Sequence, residues 1–403
     1  MNHGKSWVVG LPSAHYHYQW PIALAEAGAL RYYVTDWFVP EDDWLWSKVL
    51  RLLPSHATIH KLGNRGDSRI PTGTVRDRKV ATILERANLL LRSPMSGSRW
   101  LGARAVRAAN ATNASVVVGS YSGWDNFGKY TAGGKKVLYQ IHPHAPYLRN
   151  YYTGVISRSP AYSGLALENE VALPDSILNI WSQQAKSADL IVANSDYSKR
   201  SLVESGIADH KIAVVALGVD TARFKPQPVQ RGDRLVVLFV GSMVARKGLI
   251  PLLSAWEAMP QNSAHLIIIG RGTTDSNLLR ELPAHCEIRH NVEHAELVRL
   301  YNEADLLAVP SVAEGFGMVY LESLACGTPV LASKNTGAAD IISEGKNGWI
   351  IEPLDVDALT ERLRWAARNI TAVREMRACA LETGRFFTWE RFRRNLRQVL
   401  LSE

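Results

Sequence analysis

The sequence predicts an α/β protein of two doubly wound domains, each a parallel sheet with helices on both faces. Three observations carry that prediction. Its strand-sized apolar runs, such as residues 235–240 (LVVLFV), are continuous rather than alternating, as in strands buried on both sides. These runs alternate with stretches of helical spacing. The chain also has 403 residues, more than one compact core accommodates at roughly 100 to 200 residues per domain.

The elements follow in order. In the first half, strand candidates are residues 6–11, 30–34, 115–120, 136–141 and 190–194, with helical stretches at 20–27, 75–91 and 177–188. A polar, proline-interrupted segment at 218–233 marks a hinge. Beyond it the pattern sharpens: strand 235–240, helix 249–259, strand 264–269, short strand 287–292, helix 293–304, strand 305–309, helix 318–325 and strand 329–333. Residues 388–400 form a basic amphipathic helix. The expected division is 1–217, 218–384 and a C-terminal helix at 385–403 that crosses back to the first domain.

Composition narrows the classes. With 46% hydrophobic and 21% charged residues the chain is ordinary globular protein. No apolar run approaches the ~20 residues of a membrane span, and residues 1–20 lack a secretory pattern. Three widely spaced cysteines, Cys286, Cys326 and Cys379, argue against a disulfide framework or a structural zinc site and fit a reducing cytosol. The net charge of +8 is concentrated: residues 48–107 hold thirteen Lys/Arg against Asp67, Asp77 and Glu85. Such a surface suits an anionic membrane, a phosphorylated substrate or nucleic acid, or is simply solvated. No helix-turn-helix, zinc-finger or RNP-type signature supports nucleic acid.

Two segments carry chemistry. The first, residues 309–333 (VPSVAEGFGMVYLESLACGTPVLAS), reads as strand, glycine-rich loop, helix, strand. Glu314 stands in its loop, Gly315 and Gly317 bracket the helix start, and Glu322 follows eight residues after Glu314. A helix N-terminus at the carboxyl end of a parallel strand favours an anion. Carboxylates beside it suit a ligand rich in hydroxyls. In the second segment, residues 239–248 (FVGSMVARKG), a strand ends at Gly241 and the pair Arg246-Lys247 follows in the loop. Arg supplies bidentate phosphate contacts and Lys a movable charge, together enough to neutralise a diphosphate without a metal.

The pattern Arg246-Lys247-Gly248 followed by Glu314 and, after seven intervening residues, Glu322 resembles family 4 of the retaining nucleotide-sugar glycosyltransferases, the group 1 glycosyl transferases. The resemblance is specific over 235–352 and weaker over 192–198 and 217–220. It implies the GT-B fold, two Rossmann-like domains facing a cleft, with the acceptor bound by 1–217 and the nucleotide sugar by 218–384. It implies that Arg246 and Lys247 hold the donor diphosphate near Gly241, that Glu314 contacts the transferred sugar, and that Glu322 binds the ribose. Backbone N–H groups of Phe316, Gly317 and Met318 are implied phosphate contacts. The family also places a histidine at the end of an N-domain strand, facing the donor sugar; His142, which directly ends residues 137–141, is the better match and His144 the alternative. The implied activity is retaining, metal-independent hexosyl transfer from a UDP- or GDP-sugar to a glycan or lipid-linked acceptor, as in polysaccharide or lipopolysaccharide biosynthesis. It implies no cofactor, and a cytoplasmic location, with the basic region 48–107 and its neighbouring Trp37-Phe38 and Trp44-Leu45-Trp46 as a peripheral membrane surface. A GT-B-like sugar-nucleotide epimerase and a basic nucleic-acid-binding protein are the alternatives.

The chain departs from the family in its first strand-to-helix loop, residues 10–18 (GLPSAHYHY), which lacks paired glycines. This leaves Gly10 without an assigned role and points to a different acceptor surface. His15 and His17 have no evident third metal ligand. Asp355 and Asp357 have the spacing of a metal-binding pair, but Asp355 is better read as a helix N-cap. Gly270 and Gly272 begin a dinucleotide fingerprint whose third glycine is replaced by Asp275.

Overall fold

A computed structural model describes residues 6–12, 15–39, 65–79, 82, 96–122, 124–260, 262–272 and 282–402. Among them are two wholly parallel sheets. The first has β1 (Trp7–Gly10), β2 (Leu30–Val34), β3 (Val75–Arg76), β4 (Ser115–Gly119), β5 (Lys136–Gln140), β6 (Leu190–Ala193) and β7 (Ile212–Val214), in the spatial order 3-2-1-4-5-6-7. The second has β8 (Leu235–Val240), β9 (Ala264–Ile269), β10 (Cys286–Arg289), β11 (Leu306–Val309), β12 (Val330–Ser333) and β13 (Gly348–Ile351), in the order 10-9-8-11-12-13. Both orders reverse direction beside the first strand of the sheet, and a crevice opens at the carboxyl ends there. In the second sheet that reversal lies between β8 and β11, which pair through Leu306 with Val237 and Leu307 with Leu238. The loops after these two strands are the two segments singled out in the sequence.

The described helices of the first half are α1 (Gln19–Glu26), α2 (Ser96–Thr112), α3 (Ala145–Arg158), α4 (Asn169–Ala172), α5 (Asp175–Ser187) and α6 (Asp196–Glu204). Those of the second are α7 (Leu249–Glu257), α8 (His294–Glu303), α9 (Met318–Ala325), α10 (Val356–Arg368), α11 (Ile370–Glu375), α12 (Arg377–Phe386) and α13 (Trp389–Leu401). The strands are core: Leu235, Val237, Leu238 and Phe239 of β8 and all of β11 are fully buried, as continuous apolar runs require. The chain passes between the sheets twice. At the first crossing, Val219 N donates to the Phe387 carbonyl at 2.9 Å, and a Cβ on Gly218 would lie 2.4 Å from the Thr388 carbonyl carbon. After the second crossing, α13 buries Trp389, Phe392, Leu396 and Leu400 along one face and lies on α1. There Arg393 donates to Gln19 at 2.7 Å and to Glu26 at 3.1 Å, and Arg397 to Glu26 at 2.5 Å.

Two expectations are corrected. Residues 75–91 do not begin as a helix: Val75 and Arg76 extend the first sheet beside Tyr33 and Val34. A turn at Thr72–Thr74, closed by the Thr74 hydroxyl on the Pro71 carbonyl at 2.6 Å, aims the β-branched Val75 along the edge strand. Residues 80, 81 and 83–91 of that stretch lie outside the described residues. Trp37 and Phe38, proposed for a membrane surface, are core residues at 0% and 1% exposure. Trp44-Leu45-Trp46 and much of the basic region 48–107 lie outside the described residues. No helix among the described residues is long and apolar enough to cross a membrane.

Candidate active site

The site forms where the loops after β8 and β11 meet the end of β5. Gly248 takes φ +76°, and a Cβ there would lie 1.9 Å from the Pro310 carbonyl oxygen; only glycine lets the two loops approach so closely. Val312 N then donates to the Arg246 carbonyl at 2.8 Å. Gly315 makes the second close approach. A Cβ on it would lie 2.5 Å from the Ile141 carbonyl oxygen and 3.2 Å from the His142 Cα, so the loop beside Glu314 rests on the end of β5. The same contact is locked by Ser195, whose hydroxyl donates to the Gly315 carbonyl, and by Asn194 Nδ2 on the Ile141 carbonyl at 2.8 Å.

These approaches gather an ionic cluster. Arg246 Nη1 donates to Glu314 Oε2 at 2.6 Å, and Lys247 Nζ donates to the same oxygen. Arg246 Nε donates to Glu168 Oε2 at 3.1 Å. Burial alone would raise the Glu314 carboxyl, but Lys247 and Arg246 outweigh it and hold the group well below the usual carboxylate range. Arg246 is held firmly cationic: its burial is overcome by Glu314 and Glu168. Burial pushes Glu168 up, against the pull of Arg246. Gly241, at the end of β8, lies beside the Lys247 stem, whose Cδ a Cβ would meet at 3.7 Å.

His142 joins this cluster. Burial lowers its pKa, with Glu314 and Glu170 opposing and Arg246 and Lys247 assisting, so the ring is neutral near pH 7. Its Nδ1 lies 3.7 Å from Glu170 Oε1. His144 does something else: it is the N-cap residue of α3, its backbone N–H donates to Ser201 Oγ at 2.8 Å, and burial lowers its ring to about 4. Of the two histidines, the structure brings His142 to Glu314.

Glu322 stands one turn into α9, apart from the cluster. Its carboxylate accepts from the Tyr301 hydroxyl at 2.9 Å, and burial raises its pKa while Arg223 pulls it down. Phe316 is fully buried, its side chain packed against Gly337, so only its backbone is offered to a ligand. Gly317 caps α9 at φ +87°, where a Cβ would strike the Tyr320 ring at 2.3 Å. Met318 opens the helix.

Three participants were not foreseen from the sequence. Glu168 and Glu170 flank the start of α4, and Tyr16 sits in the departing first loop. Tyr16, His17 and Tyr18 take successive φ values of 45°, 51° and 60°, a left-handed run that costs of order 1 to 3 kcal/mol per residue and marks functional loops. It turns the Tyr16 hydroxyl toward Asn194 and Tyr139, and burial, with nearby Glu314 adding to it, raises its pKa. The one sequence signal was the absence of the expected glycines. Gly10 has a packing role, since a Cβ would lie 2.6 Å from the Ala105 Cβ.

The rejected motifs have structural explanations. Asp355 caps α10, accepting from Ala358 N at 2.8 Å. Gly270 packs against the Gly241 carbonyl, 2.1 Å from where a Cβ would be. Among the described residues no group of three or more His, Cys, Asp or Glu is arranged to hold a metal ion; the side chain of His15 lies outside them.

Comparison with known proteins bears on this site. Residues 220–380 match the model of the family "Glycosyl transferases group 1", and residues 65–223 match that of "Glycosyltransferase Family 4". The chain is 29% identical over 239 residues to D-inositol 3-phosphate glycosyltransferase of Nocardioides sp., covering 52% of each chain. It is 31% identical over 196 residues to the GDP-mannose-dependent alpha-(1-6)-phosphatidylinositol monomannoside mannosyltransferase of Mycolicibacterium smegmatis, covering 43% of this chain and 51% of that one. It thus spans about half the length of the curated relatives it matches. Its fold is similar to that of Anabaena HepE, crystallised with UDP-glucose, with TM-score 0.62, 16% identity and 99% of each chain covered. It is also similar to the sucrose-phosphate synthase of Thermosynechococcus elongatus, with TM-score 0.66, 18% identity and 98% of each chain covered.

Proposed function

The chain belongs to the group 1 glycosyl transferases, of GT-B fold, and from that membership we propose that it transfers a hexose from a nucleotide diphosphate sugar to an acceptor with retention of anomeric configuration. The observation that supports this most is the convergence of Arg246 and Lys247 on Glu314 at the carboxyl ends of β8 and β11, facing His142. The leaving group is a nucleoside diphosphate, so the chemical task is to stabilise charge developing on phosphate oxygens. Two fixed cations in a site shielded from water do that without reorganising.

The cations are neutralised by Glu314 and Glu168 in the free protein. A diphosphate takes their place, and Glu314 is released to accept from hydroxyls of the transferred sugar. Neutral His142, at the end of β5, faces the same sugar from the other sheet. Glu322 and Tyr301 offer a second polar pair to the ribose, and the backbone of Phe316, Gly317 and Met318 at the start of α9 faces the phosphates. Residues 218–384 thus form the donor half and 1–217 the acceptor half, with 385–403 returning to the latter. Arg246 and Lys247 supply the positive charge a metal would otherwise bring, so no metal is required.

The relative from Mycolicibacterium smegmatis is named for a phosphatidylinositol-linked substrate, and a glycan or lipid-linked acceptor fits this chain. The positive surplus of residues 48–107 supports work at the cytoplasmic face of an anionic membrane. A hydrolysis screen of UDP- and GDP-sugars, with and without EDTA, tests the proposal. Turnover of at least one donor in chelator is expected. Turnover of none, or turnover that EDTA abolishes and manganese restores, contradicts it.

A further inference from the structure

Glu170 is 4% exposed, a carboxylate without an arginine or lysine partner in the cluster that engages Glu314 and Glu168. Its Oε1 accepts from the Tyr121 hydroxyl at 2.7 Å, and the same oxygen lies 3.7 Å from His142 Nδ1. The segment carrying it is braced. Arg149 Nε donates to the Glu170 carbonyl at 2.7 Å, and the same guanidinium pairs with Asp175. Tyr121 is braced in turn, its ring edge-on to Trp181 with centroids 4.8 Å apart.

The backbone of His142 is equally fixed. Its carbonyl accepts from Gln140 Nε2 at 2.5 Å, and Gly315 presses on its Cα. Its ring is not: both imidazole nitrogens are buried and neither has a hydrogen-bond partner. A ring with two buried, unpartnered nitrogens beside a buried, anchored carboxylate is the arrangement that selects one imidazole tautomer. The gap of 3.7 Å exceeds hydrogen-bond range, and such contacts commonly tighten only when substrate is bound.

We propose that Glu170 is a positioning residue. It accepts a hydrogen bond from His142 Nδ1–H, holds the ring in that tautomer, and leaves the Nε2 lone pair free to accept from a hydroxyl of the transferred sugar. Tyr121 orients Glu170, so the relay runs Tyr121, Glu170, His142, sugar. No proton is transferred; each link is a donated hydrogen bond. The role in turnover rests on the glycosyltransferase reading, whereas the tautomer does not. The groups facing His142 are Glu314 from the loop after β11, Arg246 and Lys247 from the loop after β8, and Glu170 from α4. Burial first, and then the two cations, oppose protonation of the ring against the pull of Glu314 and Glu170, which keeps Nε2 an acceptor.

The test is two-bond proton–nitrogen correlation spectroscopy of the full chain labelled with ¹⁵N-histidine, with His142 identified by the resonance lost in His142→Gln. The wild type is expected to show His142 as the Nδ1–H tautomer. Glu170→Leu, which fills the space but removes the acceptor, should lose that tautomer. In hydrolysis of whichever of UDP-glucose or GDP-mannose the wild type turns over, it should lower kcat at least tenfold with donor KM within about threefold. Glu170→Gln, which keeps an acceptor oxygen, should retain the tautomer and most of kcat. An Nε2–H tautomer in the wild type overturns the proposal, as does Glu170→Leu with unchanged tautomer or unchanged kcat. If Glu170→Leu does not fold, the wild-type spectrum still decides. If the wild type hydrolyses neither, kcat is read with the donor that the screen identifies; turnover of no donor in the screen fails the glycosyltransferase reading, and the spectrum still decides the tautomer.

Discussion

Arg246 Nε and Glu168 Oε2 meet at 3.1 Å across the cleft between the two sheets. Seventy-eight residues apart in sequence, they tie the loop that opens α7 to the segment that opens α4. The same guanidinium reaches Glu314 through Nη1, so Arg246 is shared between a carboxylate of its own half and one of the other. In the proposed function, donor phosphate displaces at least one of them.

Glu168→Gln removes the competing charge from one side. A partly exposed pair of this kind contributes up to about 1 kcal/mol, so the variant should lower the donor KM by about two- to fivefold with kcat little changed. Steady-state kinetics with the best donor of the screen checks this. A higher KM would mean that Glu168 holds Arg246 in its binding pose rather than competing for it.

Glu314 and Glu322 should separate in kinetics. Glu322 accepts a hydrogen bond from Tyr301, and in the proposed function it faces the ribose. Glu322→Ala should raise donor KM tenfold or more, in keeping with the ~1.5 to 3 kcal/mol of a charged hydrogen bond. Glu314→Ala should chiefly lower kcat, because in the proposed function the group it faces is the one transferred. A donor KM within twofold of wild type for Glu322→Ala would remove that residue from the site.

Much of this was legible in the sequence, and unevenly so. Residues 235–240, 264–269 and 318–325 were read to the residue, because buried parallel strands and a glycine-opened helix leave unmistakable runs. Strands β7 and β13 were not seen: each is three or four residues long, and Gly348 opens the second at φ +154°. The start of 75–91 was misread because helical spacing outweighed the turn before Val75. In the site, Arg246, Lys247 and Glu314 were found because each lies in a glycine-marked loop. Glu168, Glu170 and Tyr16 carry no local mark. Glu168 and Glu170 matter only because α4 folds back over the loop after β8, a contact that spacing does not encode.

Asp340 gives a pH-dependent prediction at the seam between the halves. Its Oδ2 accepts from Asp196 N, at the start of α6, at 2.8 Å, and burial pushes its pKa up to about 6. An acid whose pKa is raised on folding binds its proton more tightly in the folded state. Its charge therefore costs stability as pH rises from about 4 to about 6, and stability is regained on the way down. Asp340→Asn keeps the acceptor oxygen without the charge. The melting temperature at pH 7.5 should rise by about 2 °C or more, with little difference from wild type at pH 4. Equal melting temperatures at both pH values would show that the carboxylate is not held protonated by its surroundings.

The proposed membrane surface is tested by sedimentation. The protein should pellet with vesicles rich in phosphatidylserine at low salt and not with phosphatidylcholine vesicles, and 0.5 M NaCl should release it. Arg76 and Arg78 stack on Tyr32 and Trp100, with their guanidinium carbons 4.3 Å and 5.2 Å from the ring centroids. Replacing both with Ser should weaken binding while donor hydrolysis stays near wild type. Indifference to the anionic vesicles would favour a soluble acceptor.

The central claim is that Arg246 and Lys247, converging on Glu314, form the diphosphate site, and calorimetric titration of UDP and of GDP without metal tests it most directly. At least one nucleotide should bind the wild type in the presence of EDTA, and Lys247→Ala should weaken that binding by about 100-fold, the scale of losing one preorganised charged donor. Binding of equal affinity in Lys247→Ala and wild type would contradict the account.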